Sequence, residues 1–281
     1  ASGSLRSTRY YLALGDSLST GFQPTLAGDG VETRSGYVDD LYGYERRQLR
    51  RLGLMDVGCP GDTTTSLLTG SGNDPLAARL HCDRSGGSQL AAAVAFLHTH
   101  HRAGEVPLIT LDIGINDLNR CAELVAPGAC LSRGERQIAT NLPRILRALR
   151  AAAPAGARFA AMTLYDTYLG KRFAGGVPAA GAVLFLSAYH RANEIIAASD
   201  TAAGFVTADV AGAFDTYDTG DVIVRGRAVA TNLLRTCELT WSCSPPPIDH
   251  NIHPNNRGYR VIAREFERVI GRIVVPHTAR S

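Results

Sequence analysis

Short apolar runs alternate along this chain with longer segments in which apolar residues recur every three to four positions. Tyr10–Leu14 is rich in strand formers and stops at Gly15, and the Asp16-Ser17-Leu18-Ser19 beyond it predicts a tight turn and then the start of a helix. A polar, glycine-rich loop spans Gln23–Arg34, and a helical pattern runs over Tyr37–Leu52 with Leu41, Tyr44, Leu49 and Leu52 on its apolar side. Met55–Val57 predicts a short strand leading into the turn-rich Gly58–Thr64. Leu90–His101 predicts a helix, and Val106–Ile113 a buried strand, since its near-continuous apolar run suits a parallel strand covered on both faces. Gly134–Ala153 predicts an amphipathic helix with Ile138, Leu142, Ile145, Leu146 and Leu149 inward. Arg158–Leu164 and Gly204–Asp209 predict strands, Val183–Ala198 a helix, and Asn255–Val274 a last helix after the irregular stretch Val210–Pro247.

Strands alternating with helices imply an α/β fold, a parallel sheet with helices on both faces. No repeat and no linker divides the 281 residues, so residues 1–281 are expected to form one domain. The net charge of +3 is spread over scattered arginines, with Lys171 the only lysine, which gives nucleic-acid binding no support. No apolar run reaches the roughly 18 residues that span a bilayer. The polar segment Ala1–Arg9 does not resemble a signal peptide, so a secreted protein would be numbered here without its signal. The six cysteines argue for secretion: no C-x-x-C pair suggests a metal or redox site, and each stands among turn residues in what look like loops. Of the 15 possible pairings, closing the shortest loops gives Cys59–Cys82, Cys121–Cys130 and Cys237–Cys243.

Three loops each come after a predicted strand, at Ser17, Gly61 and Asn116, and a fourth, Ile248–Asn255, precedes the last helix. Loops at the carboxyl ends of parallel strands meet at one edge of the sheet, so Ser17, Gly61, Asn116 and His253 are candidates for one site. Together they supply what acyl transfer needs: a nucleophile in Ser17, a base in His253, and oxyanion donors in the N–H groups of Ser17 and Gly61 and the amide of Asn116. Asp16 and Asp117 are expected to make turn or cap hydrogen bonds, and Asp112 to bond backbone or an arginine. His81, His100, His101, His190 and His277 have no convergent partners and are expected at the surface.

These stretches resemble the four sequence blocks of the SGNH (GDSL) hydrolase family. Gly15-Asp16-Ser17-Leu18-Ser19 matches the nucleophile block, Gly61-Asp62-Thr63-Thr64 the oxyanion-glycine block, Gly114-Ile115-Asn116-Asp117 the G-x-N-D block and Ile252-His253-Pro254-Asn255 the I-H-P-N block, in the family's order. One position departs. The family's triad aspartate usually stands three residues before the histidine, where this chain has His250; Asp249 lies one further back. Either Asp249 or a main-chain carbonyl is therefore expected to orient His253, and a metal shared by His250 and His253 is not expected.

The resemblance implies a three-layer α/β/α sandwich around a parallel sheet of about five strands, the flavodoxin-like arrangement. It implies a secreted serine esterase or lipase that uses no metal and no cofactor and acts on a small-molecule or lipid ester, with a monomer as the default. Phospholipase, polysaccharide O-deacetylase and acyltransferase activities occur on the same scaffold, and a non-catalytic lipid- or carbohydrate-binding module is the rival of another class. Leu18, Tyr165, Tyr168, Leu169, Phe173, Val177, Leu184 and Phe185 are candidates to line an acyl groove or to belong to the core.

Overall fold

The five apolar runs become one parallel sheet in the computed structural model, which describes residues 8–71, 82, 87–173, 181–248 and 251–274. In chain order the elements are β1 (Arg9–Leu14), the short pair β2 (Gln23–Pro24) and β3 (Gly30–Val31), α1 (Tyr37–Gln48), β4 (Leu52–Asp56), α2 (Thr64–Thr69), α3 (Gln89–Thr99), β5 (Leu108–Leu111), α4 (Ile115–Asn119) and α5 (Gly128–Ala152). Next come β6 (Arg158–Met162), α6 (Tyr168–Phe173), α7 (Gly181–Ala203), β7 (Val206–Ala208), α8 (Val210–Ala213), the hairpin β8 (Asp221–Val224) and β9 (Arg227–Ala230), α9 (Thr231–Leu239) and α10 (Asn256–Ile270).

The sheet order is β4-β1-β5-β6-β7, and every pairing in it is parallel. Numbered within the sheet this is the order 2-1-3-4-5, whose topological switch point lies between β1 and β5. β5 is buried at all four residues because helices cover both faces. On one face α10 packs against α1, β6 and β7; on the other α3, α5 and α7 pack side by side. This three-layer architecture is the one the sequence predicts.

Several boundaries shift for identifiable reasons. No helix starts after Ser17: residues 16–21 form successive turns. Ser19 Oγ donates to the Asp16 carbonyl and Thr20 Oγ1 to that of Ser17, and such side-chain bonds compete with a helical ladder. Leu49 and Leu52 leave α1, because Leu49 caps it and Leu52 opens β4. Within Val210–Pro247, expected to be irregular, the chain forms the hairpin and α9.

Cysteine sulfurs join as Cys59–Cys82, Cys121–Cys130 and Cys237–Cys243. Cys130 and Cys237 stand in helices α5 and α9, not in loops. Among the described histidines, His100 is part-buried, meeting the Tyr10 ring edge-on and the Phe96 ring at a tilt, and His190 lies 3.6 Å from Glu194. His81 and His277 lie outside the described residues. Among the described residues no helix is long and apolar enough to cross a membrane.

Candidate active site

The four loops meet at the switch point. Ser17 is 7% exposed, and its Oγ lies 2.8 Å from His253 Nε2. The His253 ring packs on Phe22, with ring centroids 4.8 Å apart. Two segments hold the loop that carries it: after α9, Ser242 Oγ donates to the Asn251 carbonyl (3.1 Å) and the Trp241 N–H to the His253 carbonyl (3.0 Å), and after β6, Tyr165 Oη donates to the Ile252 carbonyl (2.9 Å). Burial pushes the imidazole down to about 4, so the ring is neutral near pH 7 and Nε2 can accept a proton.

Asn116 binds the other two loops together. Its Nδ2 donates to the Asp62 carbonyl at 3.0 Å and to Asp16 Oδ2 at 3.3 Å. Asp117 receives both the N–H (2.9 Å) and the hydroxyl (2.8 Å) of Thr64, fixing the loop of Gly61 against that of Asn116. Gly61 has φ +82°, a left-handed backbone that suits glycine. Asp16 accepts from the Leu18 N–H at 3.0 Å, closing the turn that presents Ser17. Asp16 therefore makes the turn bond expected of it, whereas the Asp117 carboxylate reaches across to Thr64 in the neighbouring loop.

A polar network beneath the nucleophile was not evident from the sequence. Asp112, at the end of β5, accepts from the Asp16 N–H (3.2 Å) and from the Tyr37 hydroxyl (2.5 Å), with no arginine involved. Gln89, at the start of α3, receives the Gly15 N–H (2.7 Å) and donates to the Gly15 carbonyl (2.8 Å) and Asp62 Oδ2 (3.0 Å). Burial raises Asp112 well above the usual carboxylate range, reinforced by the charge of Asp16, and Asp16 is itself pushed up by burial. The two carboxyls therefore hold on to protons that exposed aspartates release near pH 4.

Asp249, named as a candidate orienter of His253, and His250, at the family's aspartate position, lie outside the described residues. Among the described residues, Nδ1 of His253 meets the Asn251 side-chain oxygen at 3.0 Å. Leu18, Tyr165, Tyr168, Leu169 and Phe185 are each 6% exposed or less and belong to the core. Leu184 is exposed, and Val177 and the Phe173 side chain lie outside the described residues. Among the described residues no three His, Cys, Asp or Glu side chains cluster as a metal site would require.

The model of the GDSL-like Lipase/Acylhydrolase family matches residues 13–261, which span all four loops. The chain belongs to this family. The GDSL-family fold is shared with solved structures of low identity. One is the extracellular lipase of Streptomyces rimosus, at 19% identity and TM-score 0.58, covering 93% of this chain and all (100%) of that one. Another is phospholipase A1 of Streptomyces albidoflavus NA297, at 16% and 0.57, covering 94% and 100%. A third, the enzyme LAE5 from the metagenome of Lake Arreo, stands at 20% and 0.56, covering 95% and 98%. No curated protein matches the chain. Membership of this acylhydrolase family makes the chain an ester hydrolase in general terms, acting on a small-molecule ester.

Proposed function

We propose that this chain is a secreted, single-domain serine esterase or lipase that hydrolyses carboxylic, fatty-acyl esters through an acyl-enzyme. The observation that carries this is the 2.8 Å contact between Ser17 Oγ and the neutral Nε2 of His253 at the sheet's switch point. As Oγ bonds to the carbonyl carbon, its proton passes to Nε2. The tetrahedral intermediate collapses by breaking the bond to the alcohol oxygen, which leaves with that proton. Water then repeats the two transfers and frees the acid and Ser17.

The developing oxyanion would be met by the N–H groups of Ser17 and Gly61, for which no acceptor stands among the described residues, and by Asn116 Nδ2. The 3.3 Å bond from Asn116 to Asp16 is the longer of its two, and so the one that gives way to a substrate oxygen. Three disulfides favour an oxidising, extracellular setting, and the lipase and phospholipase names among the structural neighbours favour a fatty-acyl substrate.

The test is hydrolysis of p-nitrophenyl esters from acetate to palmitate, with covalent capture by a fluorophosphonate. Wild type should hydrolyse the esters and carry the label on Ser17, and Ser17→Ala should lose at least about 10³-fold in kcat. An unlabelled wild type, or a Ser17→Ala enzyme that keeps its rate, sinks the proposal.

A further inference from the structure

The histidine of the site needs a group that fixes its tautomer and its rotamer, and the loop that carries it supplies one from a residue outside the four sequence blocks. Asn251 Oδ1 lies 3.1 Å from the His253 backbone N and 3.0 Å from its ring Nδ1. The first contact settles the chemistry of the second. A backbone N–H only donates, so the Asn251 atom that faces it is the carbonyl oxygen and not the amide nitrogen. That same oxygen then faces Nδ1, so Nδ1 carries the proton. A neutral imidazole protonated at Nδ1 bears its lone pair on Nε2, the atom 2.8 Å from Ser17 Oγ.

We infer that Asn251 is the positioning residue of the base: its side-chain oxygen holds His253 in the tautomer and orientation that let Nε2 take the Ser17 proton. The inference rests on the Ser17–His253 mechanism proposed above. The loop itself does not need this contact to keep its course, since the carbonyls of Asn251, Ile252 and His253 are held by Ser242, Tyr165 and Trp241. An amide in place of a carboxylate also gives the base a distinct character. Asn251 orients the ring but brings no negative charge to stabilise the imidazolium.

The groups that face the ring are Ser17 from the loop after β1, the Phe22 ring from the approach to β2, and Asn251 itself. Asp16, beside Ser17, is turned to Leu18 and Asn116. Among the described residues no Asp, Glu, Lys or Arg side chain from these elements makes an ion pair or hydrogen bond to the imidazole. A carboxylate introduced at position 251 would therefore be a new charge at the ring, and its effect is readable.

The experiment compares Asn251→Ala, Asn251→Asp and Asp249→Asn with wild type in kcat, KM and the pH profile of kcat/KM on p-nitrophenyl butyrate. Asn251→Ala should lower kcat by roughly 10²-fold with KM little changed. Asn251→Asp keeps the acceptor oxygen and adds charge, so it should retain turnover near neutral pH while its acid limb moves up by about one pH unit or more. An Asn251→Asp acid limb that coincides with wild type overturns the inference, as does an Asn251→Ala kcat near wild type. Should Asn251→Ala fail to fold, the Asn251→Asp profile decides alone. If Asp249→Asn lowers kcat and shifts the acid limb down while Asn251→Ala does neither, the role belongs to Asp249. Fluorophosphonate labelling of wild-type Ser17 separates the two levels. Absent labelling removes the serine mechanism itself, whereas labelling with an unmoved Asn251→Asp limb removes only the role of Asn251.

Discussion

Gly15 shows how little room the site leaves at single positions. A Cβ there would stand 2.1 Å from Asp112 Oδ1 and 2.6 Å from the Asp112 carbonyl oxygen. The Asp112 side chain is held by the Asp16 N–H and the Tyr37 hydroxyl, so it cannot swing clear without breaking both bonds. Gly15→Ala should therefore destabilise the fold by about 1–3 kcal/mol and, by shifting the turn of Ser17, also lower kcat. Urea midpoints together with ester turnover check this, and an unchanged midpoint would mean that the Asp112 network yields freely. The same network marks the limit of what the sequence discloses at this scale. Ser17, Gly61, Asn116 and His253 are legible because each sits in a short local pattern. Asp112, Tyr37 and Gln89 are not, because their bonds join residues 96, 75 and 74 positions apart. Asn251 does carry a local signal, since an Asn two residues before a histidine has the spacing of an Asx turn.

Among the elements, α10 matters most to the site because its first turn anchors the chain just beyond His253. Asn255 caps it, its Oδ1 accepting from the N–H groups of Arg257 (2.9 Å) and Gly258 (3.1 Å). Its Nδ2 donates to the carbonyls of Glu238 and Thr240, tying the end of α9 to the start of α10. The two helices meet so closely at Gly258 that an added Cβ would lie 2.0 Å from the Leu239 carbonyl oxygen. Asn255→Ala removes the cap and the tie together and should destabilise by about 1–2 kcal/mol. Thermal melts with ester turnover test it; stability equal to wild type would show that water replaces both sets of bonds. The five sheet strands were legible because each is an apolar run bounded by turn residues, and their order is that of βαβ connections. The hairpin was not, since most of its residues are exposed and show no buried alternation, as with Val222 and Ile223 at 36% and 73%. Helix α9 is hidden in the sequence because at nine residues it is too short to be stable on its own, and tertiary packing against α10 and α6 holds it.

Across the whole molecule, buried carboxyl groups set how stability responds to pH. Burial pushes Glu45, Asp166 and Asp200 each up to about 7, the charge of Glu267 adding to the effect at Glu45. Both Glu45 carboxylate oxygens, Asp166 Oδ2 and Asp200 Oδ1 have no hydrogen-bond partner among the described residues. In the unfolded chain these groups titrate near 4. Between about 4 and 7 the folded state therefore holds more protons than the unfolded one, and stability declines as pH rises through that window. His253 acts in the opposite sense: its folded value of about 4 lies below the unfolded 6.5, so its contribution improves as pH rises between them. One imidazole stands against these three carboxyls and against Asp16, Asp56, Asp112 and Asp117, which burial raises as well, and the carboxyl effect carries on to about pH 7 after the imidazole effect has ended. The net charge of +3 at neutral pH grows on acidification, but at 0.15 M salt a Debye length of about 8 Å screens most of that repulsion. The melting temperature at pH 5.5 should therefore exceed that at pH 8 by several degrees, at about 2–4 °C per kcal/mol for a chain of this size. Calorimetry at the two pH values in constant salt checks the sign. Asp200→Asn, which removes one of these seven groups, should flatten the dependence by about a seventh, and a slope unchanged by it would assign the pH response to the other groups.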